Sequence, residues 1–503
     1  MNRTKKFMYN TIATAFYQVI VMLVGFVTPR ILLQYYGSEI NGLVSSINQF
    51  ITYFSLVEAG IAGAAVYSLY KPLADENHNE ISSIVSASKK FYMQAGYIFT
   101  ALVIGMALIY PLFVTTNVLP GTLITILVIV LGAKGFLEFF TLAKYRVILT
   151  ADQKTYVVSN ASTIYVLIQM IIIVVLAMLR CNIVIVYAFA IFALFARSFI
   201  LMIYVKKKYP YINYKAEPNT KALNKRWDAL FLQVLQTVQT GTPVVIATIF
   251  TTLKDVSIYS VFNMILTGIN GVLGIFTSGL SASFGDVIAR KEDENLKVVY
   301  KDFEYTYYLF ISLIYAVSFI MIMPFINIYT NDITDANYNQ PIIGFLFVLN
   351  GLLYNLKTPQ GTLVISAGLY KETRWRTLAQ ALIIIIAGVV LTPMLGLAGI
   401  LIASCLSNLY RDIDLLFFVP KNVTKTKVAD TLKNWLMLII SILIILIPTF
   451  FVNINITGLI SWVLNAVVYT IYAAVVVIIV GNIFNKEQFK SMMNRIKNMV
   501  VRK

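Results

Sequence analysis

Long apolar runs alternate with short clusters of charge from one end of the chain to the other. A bilayer-spanning helix needs about 20 mostly apolar residues. Fourteen runs reach roughly that length: 7–33, 40–70, 91–114, 121–143, 157–179, 183–205, 229–253, 256–284, 304–328, 341–365, 379–395, 398–420, 435–452 and 459–482. The first comes after a basic start and runs well past a signal-peptide core, so it reads as a retained helix. The pattern predicts an all-α integral membrane protein with about 14 transmembrane helices. No segment between the runs is long enough for a large domain outside the membrane.

Polar positions inside the runs fall at helical spacing. Asn10, Thr14 and Gln18 stripe the first run, and Ser45, Asn48, Thr52, Ser55 and Glu58 stripe the second. The seventh run carries Gln233, Gln236, Thr237 and Thr240, and the eighth carries Ser260, Asn263, Thr267, Asn270, Gly274, Thr277 and Ser281. Such stripes face protein or water rather than lipid. Either they glue helices together through Ser, Thr and Asn contacts, or they line a hydrated cavity. Four stripes in related positions favour a cavity, with Gln18, Asn48, Gln236, Asn263 and Asn270 on its wall.

The chain also compares with itself at an offset near 216. ILTADQ (148–153) aligns with VISAGL (364–369), and EAGIAGA (58–64) with TSGLSAS (277–283), where Gly60 meets Gly279. The expected organisation is a six-helix lobe with a cytoplasmic linker (1–228), a second six-helix lobe (229–434), two further spans (435–482) and a basic tail (483–503). An even span number keeps the two halves parallel, a known transporter arrangement with a cavity between repeats. The tail places Phe489, Met492, Met493, Ile496 and Val500 among basic residues, as in a helix lying on the inner leaflet.

Composition sharpens the class. Of 503 residues, 59% are hydrophobic and 13% charged, against about 45–50% and about 25% in soluble domains. A soluble multidomain enzyme is excluded. The net charge of +17 looks at first like a nucleic-acid signature. However, 33 of the 40 Lys and Arg fall in one alternating set of loops and three in the other. That is the positive-inside pattern of a multi-pass membrane protein with both termini cytoplasmic, and no nucleic-acid partner is implied. With one histidine, His78, and two cysteines, Cys181 and Cys405, neither a metal site nor another cofactor has raw material.

Four basic residues remain inside the runs: Lys134, Arg197, Lys357 and Arg411. Each costs about 2.5–3.5 kcal/mol at a bilayer centre. Lys134 and Glu138 stand four residues apart and could pair. Snorkelling is the alternative for Arg197 and Arg411. Together with Arg30 at the end of the first run, these cations suit an anionic, phosphate-bearing substrate. Glu58, Glu138 and Asp412 are candidate ion-coupling sites, with structural pairing as the alternative.

TPRILLQYYGSEINGL (28–43) and LVEAGIAGAAVYSLYKPL (56–73) complete the picture. With the span pattern and repeat, they resemble the polysaccharide (lipid-linked oligosaccharide, Wzx-type) flippases of the multidrug/oligosaccharidyl-lipid/polysaccharide exporter superfamily. Arg30, Gly37, Gly42-Leu43 and Glu58-Ala59-Gly60 stand where the family often has an arginine, a glycine turn and an acidic residue before glycine. The resemblance implies transfer of an undecaprenyl-diphosphate-linked oligosaccharide between leaflets by alternating access. Membrane lipids would be partners, possible further ones being a polysaccharide polymerase and glycosyltransferases. It also implies Arg30 as a phosphate ligand. The rivals are a multidrug exporter of the same superfamily and a membrane glycosyltransferase or polymerase. The short loops leave the latter little room for catalytic groups.

Overall fold

The computed structural model describes residues 3–220, 226–277, 280–451 and 456–501. Two compact units divide the chain, Met1–Ser260 and Val261–Lys503. The described residues of both are helical apart from turns and short connections.

The first unit holds α1 (Arg3–Phe54), α2 (Ile61–Ala74), α3 (His78–Phe113), α4 (Gly121–Leu137), α5 (Ala143–Ala151), α6 (Thr155–Met178), α7 (Ile183–Ala190), α8 (Phe192–Lys208) and α9 (Arg226–Phe250). The unit boundary falls inside α10 (Leu253–Thr277). The second unit continues with α11 (Leu280–Ala289), α12 (Asp293–Tyr329), α13 (Pro341–Leu356), α14 (Thr358–Ser366), α15 (Tyr370–Leu395) and α16 (Leu397–Val419). It ends with α17 (Val428–Leu446), α18 (Leu459–Phe484) and α19 (Lys486–Val501).

Eleven helical stretches among the described residues are long and apolar enough to cross a bilayer. The first, Met8–Ala74, is 67 residues long and contains two of the expected spans. Two further expected spans, α9 and α16, fall outside the eleven. Gln and Thr dilute α9, and every bilayer-length stretch of α16 contains Arg411, Asp412 and Asp414.

The two expected spans within Met8–Ala74 meet at Gly37, whose φ of 80° and ψ of 175° turn the chain inside α1. That conformation is open to glycine and strained for other residues. The expected span 40–70 is itself interrupted: a 3₁₀ turn at Ser55–Glu58 and an extended Ala59 separate α1 from α2. Irregular backbone at membrane depth is tolerated only where protein or water satisfies it.

The polar stripe of the first run has a packing partner. Asn10 Nδ2 donates to the Gln153 carbonyl at 2.9 Å, and Asn10 Oδ1 accepts from the Tyr156 amide at 2.8 Å. Thr14 and Ser159 hydroxyls lie 3.2 Å apart. These two positions join α1 to the start of α6, while Gln18 is exposed. His78 stacks on Tyr211 at 3.8 Å.

Turns recur near the offset read from sequence. Left-handed residues close helices at Glu76 and Gln153 in the first unit, and at Lys291 and Gly368 in the second, each pair 215 residues apart. The bonds match as well: the Lys154 amide donates to the Leu149 carbonyl, and the Leu369 amide to that of Val364. The Gly60–Gly279 match lies outside the described residues, as do the side chains of 495–501 in the expected amphipathic tail.

The packing of the first unit can be probed at two places. A Cβ added at Gly42 would lie 1.8 Å from the Leu253 carbonyl oxygen, on backbone that cannot move aside. Gly42→Ala should therefore destabilise the detergent-purified protein by on the order of 3 kcal/mol, read as a fall in thermal midpoint. Gly25→Ala, with nothing within 4 Å, should leave the midpoint unchanged.

The other place is the loop that closes α5. Burial would raise the Asp152 carboxyl, but Lys154, Tyr209 and Lys6 all donate to it and hold it below the usual carboxylate range. A depressed carboxylate contributes stability above its unfolded pKa and loses it as pH falls through the folded value. The thermal-midpoint gap between wild type and Asp152→Asn should thus be constant above about pH 4 and shrink below it. A gap that widens in acid would contradict this assignment.

Candidate functional site

Charge inside the first unit gathers around one guanidinium. The 3₁₀ turn after α1 presents Glu58. A π-helical turn over Glu138–Leu142 comes after α4 and presents Glu138, and α5 presents Arg146. Arg146 lies 3.4 Å from Glu58 Oε2 and 3.3 Å from Glu138 Oε1. Arg197, on α8, reaches the same Glu138 oxygen at 3.4 Å. Their side chains are 11–28% exposed.

The Lys134–Glu138 pairing suggested by i, i+4 spacing is replaced by these arginines. The extra residue of the π turn rotates α5 by about 100° relative to a continuous α-helix, bringing Arg146 round to Glu138. By sequence alone Arg146 falls among the loop cations. The Glu138 carboxylate eight residues earlier, inside an apolar run, is the signal that points to it.

Lys134 points elsewhere. Its ammonium lies 5.5 Å from the Tyr165 ring centroid, within cation–π range, and the Arg197 guanidinium is 6.0 Å from the same ring. Lys134 borders a cavity of about 290 Å³ that also takes Thr28 and Asn48 from α1 and Tyr165 and Gln169 from α6. Apolar side chains of α7 and α8, such as Ala190 and Leu194, close its wall. One cation, two carboxamides and several hydroxyls thus converge on a volume large enough for a sugar or a phosphate. Lys134 is the charged side chain on its lining. Arg30 is half-buried on α1, one residue after Pro29.

The second unit handles its charges differently. Lys357 stands at the junction of α13 and α14. It donates to Asn408 Oδ1 at 2.6 Å and lies 4.6 Å from the Tyr354 ring centroid. Asn408 donates in turn to Asn350 at 2.9 Å. Arg411 pairs with Asp414 at 2.7 Å, and Arg376 also contacts Asp414. Asp412 is buried with neither carboxylate oxygen hydrogen-bonded, and it interacts electrostatically with Lys357. Asn270 accepts from Asn355 at 2.8 Å, Asn263 is half-buried, and Gln236 on α9 is exposed. Of the ten expected substrate-binding residues, the structure brings Lys134 and Asn48 to one cavity.

No family model and no curated relative matches the chain by sequence. Solved structures do match. A lipid II flippase, MurJ, in an inward-closed conformation superimposes with a TM-score of 0.69 at 17% identity, covering 95% of this chain and 99% of the other. An inward-facing multidrug resistance MATE transporter of the MOP superfamily gives 0.64 at 14% identity, covering 84% and 99%. The Vibrio cholerae MATE transporter VcmN gives 0.59 at 14% identity, covering 84% and 98%. The chain therefore has the fold of MOP-superfamily transporters and is a multi-pass membrane protein.

Removing the shared guanidinium should strand Glu58 and leave Glu138 with Arg197 alone. Arg146→Ala is expected to cost on the order of 3 kcal/mol, read as a lowered thermal midpoint in detergent. Adding Glu58→Gln to that variant should recover most of the loss. No recovery would mean that the packing of the Arg146 side chain, rather than its charge, matters.

Proposed function

We propose that the chain is a flippase. It would move an undecaprenyl-diphosphate-linked oligosaccharide from the inner to the outer leaflet of the bacterial plasma membrane, by alternating access, for surface polysaccharide biosynthesis. The observation that carries the reading is the polar cavity of the first unit. It sets Lys134 against the carboxamides of Asn48 and Gln169 and the hydroxyls of Thr28 and Tyr165. A cation suits phosphate and amides suit sugar hydroxyls. The shared fold with a lipid II flippase supports a lipid-linked substrate.

Multidrug export is the rival, since MATE transporters share the fold. A cationic drug would meet an ammonium on the cavity wall, with nearby Glu138 already engaged by Arg146 and Arg197. That disfavours the rival. In this reading Arg30, Arg197, Lys357 and Arg411 guide the diphosphate, and Gln18, Gln236, Asn263 and Asn270 meet the glycan. Of the three acids, Glu58 and Glu138 serve structure. Asp412, with no hydrogen bond to either oxygen, is the ion-coupling candidate.

The test is leaflet-resolved accumulation of lipid-linked oligosaccharide in cells depleted of the wild-type protein. Lys134→Ala should reduce outward transfer about tenfold or more, as expected for one charge-assisted contact of roughly 1.5–3 kcal/mol, at normal membrane abundance. Lys134→Arg should retain most transfer. Unchanged transfer on depletion of the protein would end the flippase reading. Full activity of Lys134→Ala would remove this cavity from it.

A further inference from the structure

The cavity of the first unit holds a donor that nothing in the chain satisfies. Tyr165 lies on its lining and is 5% exposed, yet the hydroxyl makes no hydrogen bond. The two cations that face the ring, Lys134 and Arg197, can only donate. The phenolic proton therefore has no acceptor. Lys134 is exposed on the same lining and makes no ion pair among the described residues. A buried donor without an acceptor costs the desolvation of the group and is rare in folded proteins. Next to an unpaired ammonium, it marks the place of an acceptor oxygen that the chain itself does not supply.

Charge narrows the kind of oxygen. Beside the cavity, Glu58 and Glu138 cancel Arg146 and Arg197. What remains is the single positive charge of Lys134. Water would meet the phenol but leave that charge in place, whereas a monoanion meets both. The diphosphate of a lipid-linked oligosaccharide carries more than one negative charge and is bonded directly to the prenyl chain, which stays in the bilayer. The rest of such a substrate is sugar. At about 290 Å³ the cavity has room for a sugar ring, and Asn48, Gln169 and Thr28 offer it amides and a hydroxyl. The common anionic group of a sugar ring is a carboxylate. Resting on the flippase reading, we infer that this cavity binds a hexuronic acid residue of the lipid-linked oligosaccharide. Its carboxylate accepts from Lys134 and Tyr165, its ring hydroxyls meet Asn48, Gln169 and Thr28, and the diphosphate stays outside.

The test titrates the full chain, purified in detergent, with a pair of short-prenyl diphosphate disaccharides that differ in one sugar, glucuronic acid or glucose. Short-prenyl diphosphate alone is the third ligand. Binding is read by intact-protein mass spectrometry and by thermal midpoint. The glucuronate lipid should bind about tenfold or more tightly than the glucose lipid, as expected for a charge-assisted contact. Lys134→Ala should lower glucuronate binding to the level of glucose and leave glucose binding as it was. Lys134→Arg should keep the preference. Tyr165→Phe, which removes the orphaned hydroxyl, should cut the preference severalfold with an unchanged ligand-free midpoint. Equal binding of both glycolipids to the wild type would overturn the acidic sugar and leave the flippase reading standing. A preference that survives Lys134→Ala would overturn the site. Prenyl diphosphate binding as tightly as the glucuronate lipid would give the cavity to the diphosphate and overturn the inference. Binding of none of the three would overturn the flippase reading together with it.

Discussion

A charge placed among apolar helices must be neutralised by groups within its own reach, and this constraint organises both units. At membrane depth each unpaired charge costs several kcal/mol, so the 3.3–3.4 Å contacts of Arg146 with Glu58 and Glu138 are a condition for the first unit to exist. They tie the end of α1 to α4 and α5, and Arg197 adds α8 to the same knot. The second unit meets the constraint with amides and one acid: Asn408 caps Lys357, and Asp414 takes Arg411 and Arg376. Asp412 is left as the exception, with both oxygens buried and without a hydrogen bond.

The same constraint explains where the helices break. Glu58 stands on a 3₁₀ turn, Glu138 opens a π turn and Lys357 sits between α13 and α14. A regular helix fixes the direction of every side chain, and an inserted or altered turn frees one direction. The breaks release backbone groups that lipid could not satisfy. They are sustainable because each lies inside a packed unit, beside side chains able to accept or donate.

Much of this was legible from the chain, and the gaps have physical causes. Span positions derive from run length, because a bilayer sets that length. The recurrence of turns 215 residues apart derives from short motifs that survive where apolar residues interchange freely. Stripe partners cannot be derived in this way. Asn10 and Thr14 look as suitable for a cavity as for the start of α6, since helical spacing defines a face and not what the face meets. The partner of Glu138 was hidden for a different reason. The i, i+4 rule points back to Lys134, whereas Arg146 comes round to Glu138 through the π turn between them, which helical spacing does not foresee.

The π turn also determines what Lys134 can do. Glu138 stands one α-helical turn from Lys134, but the π turn that comes after it brings Arg146 onto its carboxylate. With Glu138 bound to two arginines, the ammonium makes no ion pair among the described residues and lies 5.5 Å from the Tyr165 ring centroid. An aromatic face stabilises a cation by about 0.5–2 kcal/mol without neutralising it, so the field in the cavity stays positive. Two unit charges about 4 Å apart interact by about 4 kcal/mol at a semi-buried site, enough to separate an anionic from a cationic ligand by a large factor. The arginines therefore act on selectivity without touching the cavity wall: by occupying the acids, they leave one lysine free to set its sign.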